Sequence, residues 1–305
     1  MHTAQNTEIT ADLLRNPARV SPKYFYDERG SRLFDAITAL PEYYPTRTEN
    51  AILQASGHEI ASAVGQGGVL IEPGAGSCEK AALLCALLAP DCFIGVDISA
   101  DYLAEAVQRL SRLFPNMEVR ALGGDITRGI ALPPDIPAGP RLVFYPGSSI
   151  GNFDPAEALG LLRRMRALAG DGGGVLIGID LPKDRAVLEA AYDDAQGVTA
   201  QFNRNVLLHL NRLIGSDFVE SDWLHRAFFD AQASRIEMHL EAAQSVTVRW
   251  PGGQRSFAQG ERIHTENSYK YPLARFREFL KQAGFSRSQV WTDPQDWFAV
   301  IHAQP

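Results

Sequence analysis

Residues 69–88, VLIEPGAGSCEKAALLCALL, decide the fold. Val69, Leu70 and Ile71 form an apolar run of strand type, which Glu72 and Pro73 end. Gly74-Ala75-Gly76 then lets the backbone turn sharply and approach a ligand. Ser77 is the expected N-cap of a helix whose apolar positions are Ala81, Ala82, Leu83, Leu84 and Leu87. A strand, a glycine turn and a helix in this order place a small-molecule site outside the carboxyl end of the strand. The glycines alone also admit a plainer reading, a tight turn with no ligand. Gly74 and Gly76 lead to Glu79 and Lys80, not to the third glycine of a dinucleotide fingerprint or the Gly-Lys-Ser/Thr of a P-loop.

The neighbouring strands favour a ligand. Residues 92–96, CFIGV, form a second apolar strand ending at Asp97. An acid roughly 20 residues beyond the glycines is placed to accept hydrogen bonds from a ribose diol. A third strand, 117–122, runs into Gly123-Gly124-Asp125, with Asp125 placed for the exocyclic amine of an adenine. Acids and a glycine turn at successive strand ends describe a nucleoside site without a phosphate cradle. S-adenosylmethionine is the expected nucleoside carrier. Asp97 and Asp125 could each instead cap the helix or turn that follows.

Residues 141–146, RLVFYP, form a fourth buried strand, which opens into a second glycine-rich loop, Gly147 to Phe153. Asn152 in that loop can donate and accept at once; it could also be a turn residue before the helix start at Asp154-Pro155. Residues 155–168 read as a helix and 174–181 as a fifth strand. The β-α alternation from 69 to 181 predicts a mostly parallel, doubly wound sheet.

The flanking segments differ. Tyr24, Phe25, Tyr26, Tyr43 and Tyr44 crowd residues 21–44. Gly30-Ser31 opens a helix with Leu33, Phe34, Ile37 and Leu40 as its apolar positions. Tyr43-Tyr44-Pro45 is expected to be extended, because residues before proline avoid the helical region. A helix from Thr46 or Thr48 to Ala63 leads into the first strand, and residues 97–113 form another, opened by Ser99 and Asp101. Residues 185–195 and 199–213 read as helices. Residues 223–229, 234–242 and 245–250 read as antiparallel strands with one wet face, two of them joined at Gly252-Gly253. After this inserted block a helix (273–283) and two strands (290–292, 297–302) return to the sheet.

The chain has 305 residues, 45% hydrophobic and 21% charged, with a formal net charge of −7. The acidic balance argues against a nucleic-acid partner. No apolar run reaches membrane-spanning length, and the N-terminus lacks the apolar segment of a signal peptide. Cys78, Cys85 and Cys92 sit at apolar positions and read as buried thiols of a reducing compartment, with neither zinc spacing nor a disulfide framework. His239 and His264 have no partner at metal-ligand spacing in the sequence, so we expect no metal. A cytoplasmic monomer acting on a small molecule is expected.

KYFYDERGSRLFDAIT, LPEYYPTRTE, GAGSCEK, PGSSIGNF, AAYDDAQGVTAQFNRNVL, RIEMHL, HTENSYKY and WTDP follow one another from about Ser21 to the C-terminus. In these stretches the chain resembles the S-adenosylmethionine-dependent histidine-specific methyltransferases, the L-histidine Nα-methyltransferases of ergothioneine biosynthesis. The resemblance implies an α/β fold: a class I methyltransferase doubly wound sheet (48–182 plus 271–305) with an inserted α+β substrate domain (1–47 plus 183–270). It implies that Gly74, Gly76, Lys80, Asp97, Asp125 and Ile126 hold S-adenosylmethionine, with Tyr26 near its methionine end. Without the family, Lys80 reads as a surface lysine. The amino acid is implied to lie between the domains, with Tyr43, Gly147, Asn152 and Tyr192 at its amine and carboxylate. Glu266 and Ser268 are implied at its imidazole and Met238 beside it. Tyr43 and Asn152 are the implied catalytic residues, orienting the amine, and the implied product is Nα-trimethylhistidine, hercynine. Two alternatives stay open: the same chemistry on another small amine, and a non-catalytic S-adenosylmethionine-binding protein.

Overall fold

The computed structural model describes residues 4–98 and 100–305. They fall into two compact units, Met1–Tyr44 with Lys183–Ser268 and Pro45–Pro182 with Tyr269–Pro305.

The second unit holds a seven-stranded sheet. Its order is Arg287–Thr292, Phe298–Gln304, Gly174–Asp180, Arg141–Tyr145, Val69–Pro73, Cys92–Asp97, Glu118–Gly123. The last five are parallel. Phe298–Gln304 runs antiparallel to Gly174–Asp180, and Arg287–Thr292 antiparallel to Phe298–Gln304. Helices Glu79–Leu88, Ala100–Leu113 and Pro155–Ala169 make crossovers. This is the mostly parallel, doubly wound sheet expected from the sequence. The central strands are apolar without alternation because both their faces are covered: every residue of Val69–Pro73 and Gly174–Asp180 is buried. Strand order reverses between Val69–Pro73 and Arg141–Tyr145, and the carboxyl ends at such a reversal form the ligand crevice of these sheets.

Several local expectations are corrected. The helix after the glycine turn starts at Glu79, and Cys78, in the left-handed region at φ 57°, takes the cap position in place of Ser77. Tyr44 opens the helix Tyr44–Ala55 and is not extended, because a proline is accepted in a first turn, where its missing N–H has no partner to lose. The run to Ala63 is two helices, Tyr44–Ala55 and Gly57–Val64. Ser99 lies outside the described residues, as does the side chain of Asp101. Cys78, Cys85 and Cys92 are buried free thiols as expected, and burial pushes Cys85 up to about 12 and Cys92 up to about 11. No helix among the described residues is long and apolar enough to cross a membrane.

The first unit has a four-stranded sheet in the order Ala18–Arg19, Arg262–Tyr269, Arg235–Ala242, Trp223–Asp230. A hairpin pairs Val246–Trp250 with Gly253–Phe257. Its turn is Pro251-Gly252, one residue earlier than expected; Gly252 takes φ 91°, the value the third position of a type II turn requires. Arg235–Ala242 alternates buried and half-buried residues, the pattern of a sheet with one wet face. The helix Glu28–Thr38 begins before Gly30, because Asp27 caps it by accepting from Gly30 N at 2.7 Å. Gly30 itself is obligatory: a Cβ there would stand 1.7 Å from Phe25 O. The predicted helix over 185–195 ends at Ala190, which leaves Tyr192 in the turn between two helices. Asp194 then accepts from Val198 N and Thr199 N at the start of Val198–Ile214.

Candidate active site

In the second unit the strand ends bring the predicted nucleoside residues together. Gly74 N and Ala75 N donate to Val96 O at 2.7 and 3.1 Å, so the glycine turn is fastened to the next strand. Gly76 N donates to Asp97 Oδ2 at 3.1 Å. The acid predicted for a ribose therefore sits at the glycine turn itself. Gly74 and Gly76 have φ of 70° and 49°, values that L side chains adopt at a cost. Asp125 caps the short turn Ile126–Arg128, accepting from Thr127 N at 2.8 Å. This is the plainer of the two roles open to it in the sequence, and it keeps the carboxylate at the strand end. Ile126 packs against the hydrophobic core of this unit.

Lys80 is not a surface lysine. Its side chain is 19% exposed, and Nζ is paired with a carboxylate oxygen of Glu49, whose own side chain is 1% exposed. Glu49 also accepts from Gly147 N, at 3.0 Å through Oε1 and 2.9 Å through Oε2. One buried carboxylate from helix Tyr44–Ala55 thus ties the helix after the first glycine turn to the second glycine-rich loop. Strand Gly174–Asp180 makes room for it: a Cβ on Gly178 would lie 1.9 Å from Glu49 Oε1. Sequence reasoning missed Glu49. The available signal was its spacing, since an acid three and four residues before the buried Ile52 and Leu53 shares their helix face. Glu72, at the end of the first strand, is 2% exposed and its Oε2 is buried without a partner. Burial pushes its carboxyl well above the ordinary range; Lys80 opposes this, and the Glu49 and Asp97 charges add to it. Burial therefore favours the neutral form of Glu72.

The second loop is braced from below. Ser148, at φ 56°, accepts from Asp180 N through Oγ at 2.9 Å, and Gly151 N donates back to Ser148 O at 2.8 Å. Asp180 forms an ion pair with Lys270 at 2.7 Å, both side chains 0% exposed. Asn152 ends the turn Ser149–Asn152, and Asp154 starts helix Pro155–Ala169 with a reciprocal capping box to Glu157.

In the first unit the predicted tyrosines form an aromatic train. Tyr26 meets Phe34 edge-on at 5.6 Å between centroids, Phe34 meets Tyr43 at 6.1 Å, and Tyr43 meets Tyr192 at 6.2 Å. Tyr192 Oη lies 2.7 Å from Ser268 Oγ, a buried hydrogen bond. Met238, Glu266 and Ser268 are 2%, 7% and 3% exposed. Two further residues, missed in the sequence, fix Tyr192. Asn203 Nδ2 donates to His225 Nδ1 at 2.8 Å, so His225 Nε2–H donates to Tyr192 O at 2.9 Å. Burial lowers the pKa of His225, which keeps it neutral in that tautomer.

Strand Arg262–Tyr269 departs from simple alternation. Ile263 and Thr265 are buried, then Glu266 is buried as well, and Ser268 follows. His264 Nε2 and Asn267 Oδ1 meet at 2.8 Å although three residues apart. The regular alternation therefore breaks between His264 and Asn267: Thr265 and Glu266 are buried in succession. Glu266 is buried, as Ser268 is, while His264 and Asn267 are half-buried.

His239 and His264, expected to bind no metal, lie side by side on neighbouring strands. Their ring centroids are 5.0 Å apart, and one donor atom each of Glu237, His239 and His264 lies within 4.8 Å of the others. Glu237 lies two residues from His239 on strand Arg235–Ala242, and His264 comes from the adjacent strand.

A family model described as histidine-specific methyltransferase, SAM-dependent, matches residues 5–305. Histidine N-alpha-methyltransferase of Mycolicibacterium smegmatis is 39% identical over 97% of this chain and 94% of its own length. The protein of the same name from Mycobacterium tuberculosis is 38% identical over 98% of this chain and 94% of its own. Ergothioneine biosynthesis protein 1 of Neurospora crassa is 30% identical over 94% of this chain and 33% of its own. With a family match over nearly the whole length, on a doubly wound sheet with its acids and glycines at the strand ends, the chain belongs to the histidine-specific, S-adenosylmethionine-dependent methyltransferases.

Proposed function

We propose that this enzyme methylates the α-amine of L-histidine, forming Nα-trimethylhistidine (hercynine), the first step of ergothioneine biosynthesis. It acts as a cytoplasmic monomer on a small amino acid. The observation that supports this most is the Tyr192–Ser268 hydrogen bond at 2.7 Å, which joins a residue assigned to the carboxylate with one assigned to the imidazole.

S-adenosylmethionine supplies an electrophilic methyl group on a sulfonium. The residues fit such a molecule. Gly74 and Gly76 would give a close approach, Asp97 would accept from hydroxyl donors, Asp125, Ile126 and Lys80 would help hold the molecule, and Tyr26 would serve its methionine end.

The chain's own residues bind and aim the amino acid. Asn152, the backbone of Gly147 and the hydroxyls of Tyr43 and Tyr192 offer donors and acceptors to a carboxylate and an amine without a cation. Glu266 accepts an imidazole N–H, Ser268 complements the other ring nitrogen, and Met238 covers the ring. A charge-assisted bond of this kind is worth about 1.5–3 kcal/mol. A site built for a polar ring rejects analogues lacking it by roughly 10⁴–10⁵-fold, since its own buried groups would be left unpaired. The amine must be neutral with its lone pair directed at the methyl carbon. Tyr43 and Asn152 hold that orientation, and positioning is the main catalytic contribution. A tyrosine or a water takes the proton.

Mass spectrometry of products from S-adenosylmethionine and L-histidine, with wild type and Glu266→Ala, tests this. Growth of a triply methylated histidine, slowed or lost in the variant, is expected. Bound cofactor with no methylated histidine overturns it, and turnover of tryptophan or tyrosine instead would assign the same chemistry to another amine.

A further inference from the structure

We propose that Glu237, His239 and His264 form a binding site for a divalent first-row transition cation, with Zn²⁺ the best match, on the outward face of the first unit's sheet. It lies on the back of strands whose inward faces carry Met238, Glu266 and Ser268. Glu237 and His239 are two residues apart on strand Arg235–Ala242 and so share a face. His264 comes from strand Arg262–Tyr269, the neighbour of that strand in the sheet. One donor atom from each lies within 4.8 Å of the other two. Two imidazoles and one carboxylate form a donor set suited to zinc, with a position left for water.

The surroundings support ligation. Glu237 and His239 side chains are 13% and 12% exposed, so the cluster is sheltered yet reachable. Glu237 Oε2 lies 2.8 Å from His239 Nε2. Arg235 engages the other oxygen, Oε1, at 2.8 Å through Nε and 2.5 Å through Nη2. That orients the carboxylate with Oε2 toward the imidazole, although the guanidinium charge also opposes a cation. Asn267 Oδ1 accepts from His264 Nε2 at 2.8 Å, which leaves Nδ1 as the lone-pair nitrogen. Outer partners of this kind fix the ring and tautomer of a ligating histidine. Phe228 stacks on His239 at 5.2 Å and 9° between planes, fixing the second ring. His239 Nδ1 is buried with no hydrogen-bond partner. The nitrogen of His239 that faces the Glu237 carboxylate is Nε2, and the proposal stands on the proximity of the three donor side chains.

The test uses the full chain, freed of any affinity tag, stripped with a chelator and desalted, in the absence of histidine because histidine itself binds these metals. Titration with Co²⁺ should give one equivalent with the visible bands of a four- or five-coordinate nitrogen-oxygen site, displaced by Zn²⁺. His264→Asn and His239→Phe should each abolish the bands, and Glu237→Gln should weaken binding about tenfold or more. Circular dichroism checks that each variant is folded; should a histidine variant fail, Asn267→Ala, which removes only the outer acceptor, should still weaken Co²⁺ about tenfold. Less than a tenth of an equivalent bound by wild type overturns the proposal. So does a Co²⁺ spectrum and affinity unchanged by Glu237→Gln and Asn267→Ala, since the metal would then sit on other histidines. Neither readout depends on turnover, so failure of the site and failure of the proposed reaction are distinguishable.

Discussion

Lys80→Met and Glu49→Gln, singly and together, give the sharpest test of how the two glycine-rich loops are held. In the wild type Lys80 Nζ pairs with Glu49, whose side chain is 1% exposed. Removing one partner of a buried pair costs about 3–5 kcal/mol, because the other charge is left uncompensated. Gly147 N still donates to both Glu49 oxygens in Lys80→Met, so the lower end, about 3 kcal/mol, is expected. Glu49→Gln should cost less, about 1–2 kcal/mol, since Lys80 is 19% exposed and can rehydrate. The double variant has no buried charge to compensate and should be more stable than Lys80→Met alone. The coupling expected from the cycle is about 1–3 kcal/mol. Urea midpoints of the four proteins measure it. Titration calorimetry with S-adenosylhomocysteine gives the functional half: Lys80→Met should weaken binding by about 1.5–3 kcal/mol, roughly tenfold to 150-fold. Additive losses in stability would refute the reasoning, for the two charges would then be acting independently.

Two further perturbations probe the same unit. Gly178→Ala places a Cβ 1.9 Å from Glu49 Oε1; the carboxylate must move, and we expect both a lower urea midpoint, by about 1–3 kcal/mol, and weaker S-adenosylhomocysteine binding. A midpoint equal to wild type would show that Glu49 is not fixed there. His302 is 4% exposed, and burial lowers its pKa to about 4. Above the unfolded value of about 6.5 both states are neutral and the stability is fully present; as pH falls, the unfolded chain is protonated first and stability is lost down through about pH 4, by about 3 kcal/mol in all. His302→Gln should flatten that part of the stability curve, and parallel curves for the two proteins would reject His302 as its source.

The sheet was legible because its central strands are covered on both faces. Val69–Ile71, Cys92–Val96 and Gly174–Ile179 are runs without a charged residue, each ending next to an acid, and glycines follow the first of them where the chain turns. Local chemistry at the junctions was less legible. Ser77 carries a better capping side chain than Cys78, yet the backbone enters the helix through a left-handed residue at Cys78, a choice made by the fastening of the turn to Val96 O. Tyr44-Pro45 read as extended on the rule for residues before proline, whereas a helix may begin there at little cost. Glu49 escaped because a buried acid is visible only once its partners, Lys80 and Gly147 N, are known, and these lie 31 and 98 residues away. The pairing of His239 with His264 escaped for the same reason: sheet neighbours are set by topology, and spacing along the chain says nothing of them.

The break in alternation in strand Arg262–Tyr269 has a consequence for how this protein tolerates change in length. In a regular strand the side-chain period is two, so gain or loss of one residue reverses every face beyond it. Here Thr265 and Glu266 are buried in succession, between the half-buried His264 and Asn267. Loss of one residue between them would carry Glu266 and Ser268 to the opposite face together, so a single-residue indel here would reach buried polar side chains even though its sequence signature is that of a harmless gap.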